Sequence, residues 1–137
     1  MTTQTAARAW QAMRKLVLEK HDRRAEVCQA LDMSFIKVKA LRRLAQGPLT
    51  MRELTDTLAI DKPYTTLVVD FLEDRGLVER SRHPDDRRCK IVTVTAAGAA
   101  EAAKADEIID APPAPLLALS ERDVAELERI LAELAGD

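Results

Sequence analysis

Four glycines, two cysteines, two histidines and a 3% share of aromatic side chains are what this 137-residue chain has least of. Each shortage removes a class of function. So few glycines leave no Gly-rich loop whose bare backbone could cradle a phosphate. Cys28 and Cys89 stand far apart and give no disulfide framework. With His21 and His83 they form no paired ligand spacing, so we expect no metal and no cofactor. No serine, histidine and aspartate fall in the order of a nucleophilic triad, so no catalytic residue is assigned and an enzyme is not expected. No apolar run is long enough to span a bilayer, and residues 1 to 8 hold no apolar signal core. We therefore expect a soluble, cytoplasmic protein with no membrane partner.

The length suits one ordinary domain with a real core and is too short for two comfortable ones. Alanine and leucine dominate, which favours helices over a sheet-rich fold. The formal net charge of -2 conceals a division. Residues 34–95 hold 12 basic and 9 acidic residues, net +3, whereas residues 96–137 hold 3 basic and 10 acidic, net -7. That asymmetry predicts a basic working face with an acidic part kept away from it.

From Thr5 to Cys28 the apolar positions Ala6, Trp10, Met13 and Val17 recur at helical spacing, which predicts one long first helix. Ser34 is placed to cap a second helix running to about Gln46. Its buried row would be Phe35, Val38, Leu41 and Leu44, with Lys37, Lys39, Arg42 and Arg43 outside, and Gly47-Pro48 stops it. Thr50-Met51-Arg52-Glu53 has the form of a capping box and opens a short third helix buried through Leu54, Leu58 and Met51. Ala59-Ile60 is the turn. Asp61 then caps a fourth helix with Pro63 in its first turn, running to about Asp74 ahead of Gly76.

Two stripes compete inside that fourth helix: Thr65, Val68, Val69 and Leu72, or Tyr64, Leu67, Val68 and Phe71. The first is preferred, because Leu72 then joins the same core as Leu77 and Val78, and Pro63, Thr66, Leu67 and Asp70 face outward. Further on, Thr95 can cap an Ala-rich fifth helix extending to about Asp110, and the prolines of residues 111–115 make a rigid elbow. Ser120 opens a final helix with Val124, Leu127, Ile130, Leu131 and Leu134 on its apolar side.

Between the fourth and fifth helices, Leu77 to Arg82 and Cys89 to Val94 read as strands flanking a Pro-Asp-Asp turn. From Arg80 to Lys90 there are five Lys or Arg against two Asp, a local charge of +3. Such a tip suits a narrow, strongly negative groove in DNA; the plainer reading is a solvated edge whose charges prevent edge-to-edge pairing. The elements before it favour DNA. Helix, short turn, helix and basic hairpin, in that order, are the parts of a helix-turn-helix followed by a wing.

Leu49 to Leu54, Leu72 to Arg80 and His83 to Gly98 resemble the signature of the MarR-type regulators, the multiple-antibiotic-resistance repressor family. The resemblance covers most of the chain. Its most specific piece is Asp86-Arg87-Arg88 followed by Val92-Thr93-Val94-Thr95, with Val94 where the family usually has Leu. It implies a mainly α fold with a small β-hairpin wing, a winged helix-turn-helix with N- and C-terminal dimerisation helices. Residues 5–30 would form the first dimerisation helix, 34–95 the DNA-binding lobe and 96–137 the C-terminal dimerisation helices. Ala6, Trp10, Val124, Leu127, Ile130, Leu131 and Leu134 would build the dimer interface. The apolar rows agree, since they would otherwise leave large stripes exposed.

The implied partners are a second copy of the chain and double-stranded DNA with a pseudo-palindromic operator. Arg88, then Arg87, would enter the minor groove, while Asp86 fixes the wing by pairing with an arginine. Pro63 and Thr66 sit where a base edge or thymine methyl is in reach, and Lys62 suits a phosphate. Asp70 either accepts from cytosine N4 or pairs with a wing arginine. Leu67 stands where the family frequently has Arg. Arg52, Arg80, Arg82 and Lys90 are candidate phosphate contacts, each with a solvated charge as the alternative.

The resemblance also implies a repressor relieved by a small phenolic or other lipophilic effector, for which Trp10, Met13 and Phe35 are the candidate lining. Apolar residues at helical spacing are more often simply core. Two other readings stand beside it: oxidant sensing through Cys28 or Cys89, and a winged-helix module used for protein contacts without DNA.

Overall fold

A computed structural model describes residues 2–137. Helix α1 (Thr3–Lys15) runs into one π-helical turn (Leu16–Lys20), and after a break α2 (Arg24–Leu31) begins. The single long helix expected from the apolar spacing is thus interrupted, for a local reason. His21 leaves the helical region (φ -127, ψ 38) while its N–H reaches back to the Leu16 carbonyl at 2.9 Å. Asp22 Oδ1 then accepts the Arg24 backbone N–H at 2.9 Å, and its Oδ2 meets the Arg24 guanidinium at 2.7 Å. Such side-chain-to-backbone bonds compete with helix continuation and start a new one.

Helix α3 (Phe35–Ala45) packs against α2 and forms the centre of the lobe, with Val38, Ala40, Leu41 and Leu44 fully buried. Ser34 holds the cap position but makes no capping bond. Phe35 is not in the core and stays 37% exposed. Residues nine apart on an α-helix are half a revolution out of phase, so Phe35 and Leu44 cannot share one buried face.

Between α3 and the next helix Leu49–Thr50 forms strand β1, an element the sequence pattern did not suggest. Helix α4 (Met51–Leu58) follows, its capping box complete: Glu53 N–H to Thr50 Oγ1 at 3.1 Å and Thr50 N–H to Glu53 Oε1 at 3.1 Å. Ala59 turns the chain with a left-handed φ of 54. Asp61 caps α5 (Lys62–Asp74) through the Tyr64 N–H at 2.8 Å. The preferred stripe is the buried one, Thr65, Val68, Val69 and Leu72.

Strands β2 (Val78–Arg82) and β3 (Lys90–Val94) form the hairpin, and β1 joins its far side to give the antiparallel order β1-β3-β2. The register sets Leu49 and Arg80 opposite Val92 and Arg82 opposite Lys90. Two residues are too few to show alternation, which is why β1 escapes a pattern reading.

Thr95 caps α6 (Ala96–Ile109) through the Gly98 N–H at 3.0 Å and donates to the Gly76 carbonyl at 2.7 Å. Here α6 lies against the chain leaving α5, so closely that a Cβ on Gly98 would fall 2.0 Å from the Leu77 carbonyl oxygen. The proline elbow holds a single helical turn, α7 (Ala114–Leu117), and α8 (Glu121–Ala135) follows, capped by Ser120. Neither α1 nor α8 buries a residue in the single chain. Among the described residues no helix is long and apolar enough to cross a membrane. The architecture is mainly helical with a three-stranded wing on a helix-turn-helix.

Candidate nucleic-acid interface

The two helices of the helix-turn-helix are fastened through hydroxyls. Buried Thr65 donates to the Asp61 carbonyl at 2.9 Å and accepts from Thr55 Oγ1 at 2.9 Å, so α4 and α5 keep one mutual angle. With Val68, Val69 and Leu72 turned inward, helical geometry leaves two rows of α5 outside. Lys62, Thr66 and Asp70 form the row beside the wing, and Pro63 and Leu67 the neighbouring one. Leu67 is 65% exposed and Tyr64 42% exposed.

Arg75, just past the end of α5, ties this helix to the rest of the lobe. Its guanidinium donates to the Leu31 carbonyl at 2.8 Å and the Asp32 carbonyl at 2.7 Å, closing the end of α2. The same group lies 4.6 Å from the centre of the Phe71 ring, with Lys37 Nζ 3.8 Å from that centre. Aromatic faces attract cations in this way.

Arg80 departs from its expected role. Its guanidinium pairs with Asp70 and with Glu73 Oε1 at 2.7 Å, while its backbone N–H donates to Glu73 Oε2 at 3.2 Å. Only 20% of the Arg80 side chain is exposed, so it is a strut between wing and α5 rather than a free phosphate contact. The Glu73 carboxyl is held below its ordinary value chiefly by the Arg80 side chain and then by the Arg80 N–H, and Arg80 is correspondingly raised. The period of two along β2 carried the signal: Arg80 is two residues after buried Val78 and opposite buried Val92, on the sheet face that looks inward. Of the two readings of Asp70, the pair with a wing arginine is the one the structure holds.

At the tip, Asp86 binds backbone rather than a guanidinium. Its Oδ1 accepts the Arg88 N–H at 3.0 Å, its carbonyl accepts the Cys89 N–H at 3.0 Å, and Cys89 closes on the His83 N–H at 2.9 Å. These bonds shape a turn that leaves Arg87 and Arg88 projecting and exposed. Among the described residues, Arg52, Lys62, Arg82, Arg87, Arg88 and Lys90 have no carboxylate within ion-pair distance.

A cleft of about 630 Å³ runs between the start of α4, the start of α5 and the wing. Arg52, Lys62, Thr66, Arg80, Arg88 and Lys90 line it, together with Thr50, Met51, Thr55 and Cys89, which the sequence reading did not assign. The start of α4 could have been read as a wall, since its first turn carries the exposed Arg52. Pro63, Leu67, Arg82, Asp86 and Arg87 lie outside it. The nearby carboxylates are engaged: Glu53 is held low mainly by the Thr50 N–H, Glu73 is held low by Arg80, and Asp70 is ion-paired with Arg80.

A second, apolar cleft of about 510 Å³ lies elsewhere, between the π-helical turn, the end of α6, α7 and α8. Leu16, Val17, Ile109, Leu116 and Leu127 line it with His21 and Arg23. Trp10, Met13 and Phe35 do not, because the break at His21 lets the π-helical turn, rather than the middle of α1, face α6 and α7. Trp10 stands 61% exposed. Of the expected interface residues, Ala6, Leu127, Ile130, Leu131 and Leu134 are exposed and Val124 half-buried in the single chain. Cys28 and Cys89 are free and half-buried, with the Cys89 thiol donating to Asp86.

Comparison with known proteins agrees with this geometry. Residues 37–90 match the MarR family model. Over 72 residues the chain is 38% identical to the HTH-type transcriptional repressor NicR of Pseudomonas putida, a match covering 53% of this chain and 44% of that protein. The chain thus spans less than half the length of that curated relative. Among solved structures, a MarR family protein from Bacillus stearothermophilus superposes with a TM-score of 0.85 at 24% identity, over 99% of this chain and 96% of the other. That likeness concerns the fold. A cysteine-to-serine mutant of MarR from E. coli, complexed with operator DNA, matches with a TM-score of 0.63 at 26% identity, over 98% and 99% of the two chains.

Proposed function

We infer from the match of residues 37–90 to the MarR family model, and from the fold shared with MarR-type structures, that the chain is a MarR-type transcriptional regulator that binds duplex DNA as a homodimer. One observation carries the reading. Arg52, Lys62, Arg88 and Lys90, all without carboxylate partners among the described residues, converge on the cleft between the helix-turn-helix and the wing. The carboxylates around that cleft are bonded internally, so its walls present positive charge to a polyanion. Unpaired cations at this density cost self-repulsion in the free protein, and phosphate binding relieves it.

In the complex α5 lies in a major groove, Lys62 and Arg52 meet phosphates, and Pro63 and Thr66 face base edges. Arg88 and Arg87 enter the adjoining minor groove, with Arg82 and Lys90 on the backbone beside them. Asp86 acts through the turn it shapes. A second copy of the chain covers the apolar sides of α1 and α8, so the operator is pseudo-palindromic, with half-sites about one helical turn apart. NicR is named a repressor, and a repressing role, in the cytoplasm where its operator is, is the reading carried to this chain. Relief by a small lipophilic or phenolic effector is the accompanying proposal, and the second cleft is the apolar space that could take one.

The test is a fluorescence-anisotropy titration of the purified protein with the duplex immediately upstream of its own gene. We expect saturable binding whose logarithm falls linearly with the logarithm of salt concentration. A chain that binds no duplex at low ionic strength would exclude the reading.

A further inference from the structure

The outward rows of α5 are poor in the groups that read guanine and adenine. From Lys62 to Asp74 the helix contains no Arg, no Asn and no Gln, the side chains that make two parallel bonds to one purine in the major groove. Its single cation, Lys62, stands at the first helical position, beside a groove wall rather than under the middle of the helix. The carboxylates beside the wing, Asp70 and Glu73, are both already taken by Arg80. Thr66 Oγ1 donates to the Lys62 carbonyl at 3.1 Å, which leaves its lone pairs and methyl group outermost.

What α5 does present is apolar. Leu67 is 65% exposed at the centre of the outward surface, one turn beyond Pro63, with Thr66 at its side. An isolated exposed leucine is ordinary, but this one is flanked by the uncompensated cations of the cleft, which would hold it against a phosphate-walled groove. The chemical group in a major groove that suits it is the 5-methyl of thymine, the one apolar group that a base pair displays there.

We propose that α5 selects its half-site by thymine methyl groups, through Leu67 with Pro63 and Thr66, and not by hydrogen bonds to guanine. This rests on the reading of the chain as a duplex-binding regulator and adds the base chemistry of that same surface. The half-site core beneath α5 is therefore rich in A·T pairs with thymine at the Leu67 position. The wing contributes separately, since the minor groove displays no methyl.

Replacing thymine by uracil removes that methyl and changes nothing else on the base. The probe is a short duplex recovered by selection from a randomised library, compared with the same duplex carrying deoxyuridine at the half-site thymines. We expect about fourfold weaker binding for each contacted methyl lost, the effect of exposing one methylene-sized group. Leu67→Ala, at an exposed position, should fold normally and bind the two duplexes alike. Leu67→Arg should shift the selected base at that position toward guanine. Equal affinity of the unaltered chain for thymine and uracil duplexes, with binding otherwise intact, overturns this proposal alone. No binding to any duplex in the library overturns the regulator reading and this proposal with it.

Discussion

Glu73 and Arg80 meet twice, once through the guanidinium at 2.7 Å and once through the Arg80 backbone N–H at 3.2 Å. A side-chain contact alone would leave β2 free to slide along α5. The added backbone contact fixes its register, so the base of the wing moves as one piece with α5.

Removing the Glu73 charge therefore loosens the wing. Glu73→Gln should cost no more than about 1 kcal/mol of stability, because the pair is partly exposed and screened by water. The Glu73 carboxyl is lowered from an ordinary 4.5, so its contribution is present above that pH and is lost as the pH falls through the lowered value. Melting curves of the native chain and Glu73→Gln should differ by a constant amount at neutral pH and converge in acid. A gap that widens in acid would contradict the pairing.

Arg80 and Arg88, both basic wing residues, should respond differently to alanine. Arg88→Ala is expected to lower the slope of log affinity against log salt by roughly one unit at unchanged melting temperature. Arg80→Ala should lower the melting temperature, since it leaves Asp70 and Glu73 facing each other without a cation. Anisotropy across a salt series and thermal melting of both variants separate the two roles. An Arg80→Ala protein that melts normally would return Arg80 to the set of phosphate contacts.

Gly98 is required by space rather than by backbone angle. A Cβ there would lie 2.0 Å from Leu77 O and 2.7 Å from Val94 Cγ2. Overpacking against a fixed backbone costs about 1–3 kcal/mol or more. Gly98→Ala should lower the urea midpoint accordingly, and an unchanged midpoint would mean that α6 can lift away from Leu77 freely.

Self-association should depend on α8. Ile130, Leu131 and Leu134 are 40%, 41% and 66% exposed in the single chain. Leu131→Asp places a charge in that apolar row and should convert a dimer to a monomer in sedimentation at micromolar concentration. A native chain that sediments as a monomer would remove the homodimer from the proposal.

The capping box of α4, the buried stripe of α5 and the hairpin were legible in the residues because each is a short-range pattern. A Thr three residues before a Glu, or apolar groups at i, i+3, i+4 and i+7, bond or bury through neighbours a turn away. The outward positions of Lys62 and Thr66 were legible too, since they follow once the inward stripe of α5 is known; Arg52, Arg88 and Lys90 come beside them only through the fold. The break at His21 was local as well, but apolar spacing does not register a carboxylate, that of Asp22, accepting from the backbone two residues further on.

Other features were settled only when distant segments met. Strand β1 exists because Leu49 finds Val92, and its two residues hold no period of their own. Arg80 was counted with its basic neighbours along the chain, yet it lies across from Asp70 and Glu73 on α5, which spend its charge. Trp10 shows the same limit. A helical period says which residues share a face, while the energy of burying that face depends on what stands opposite it.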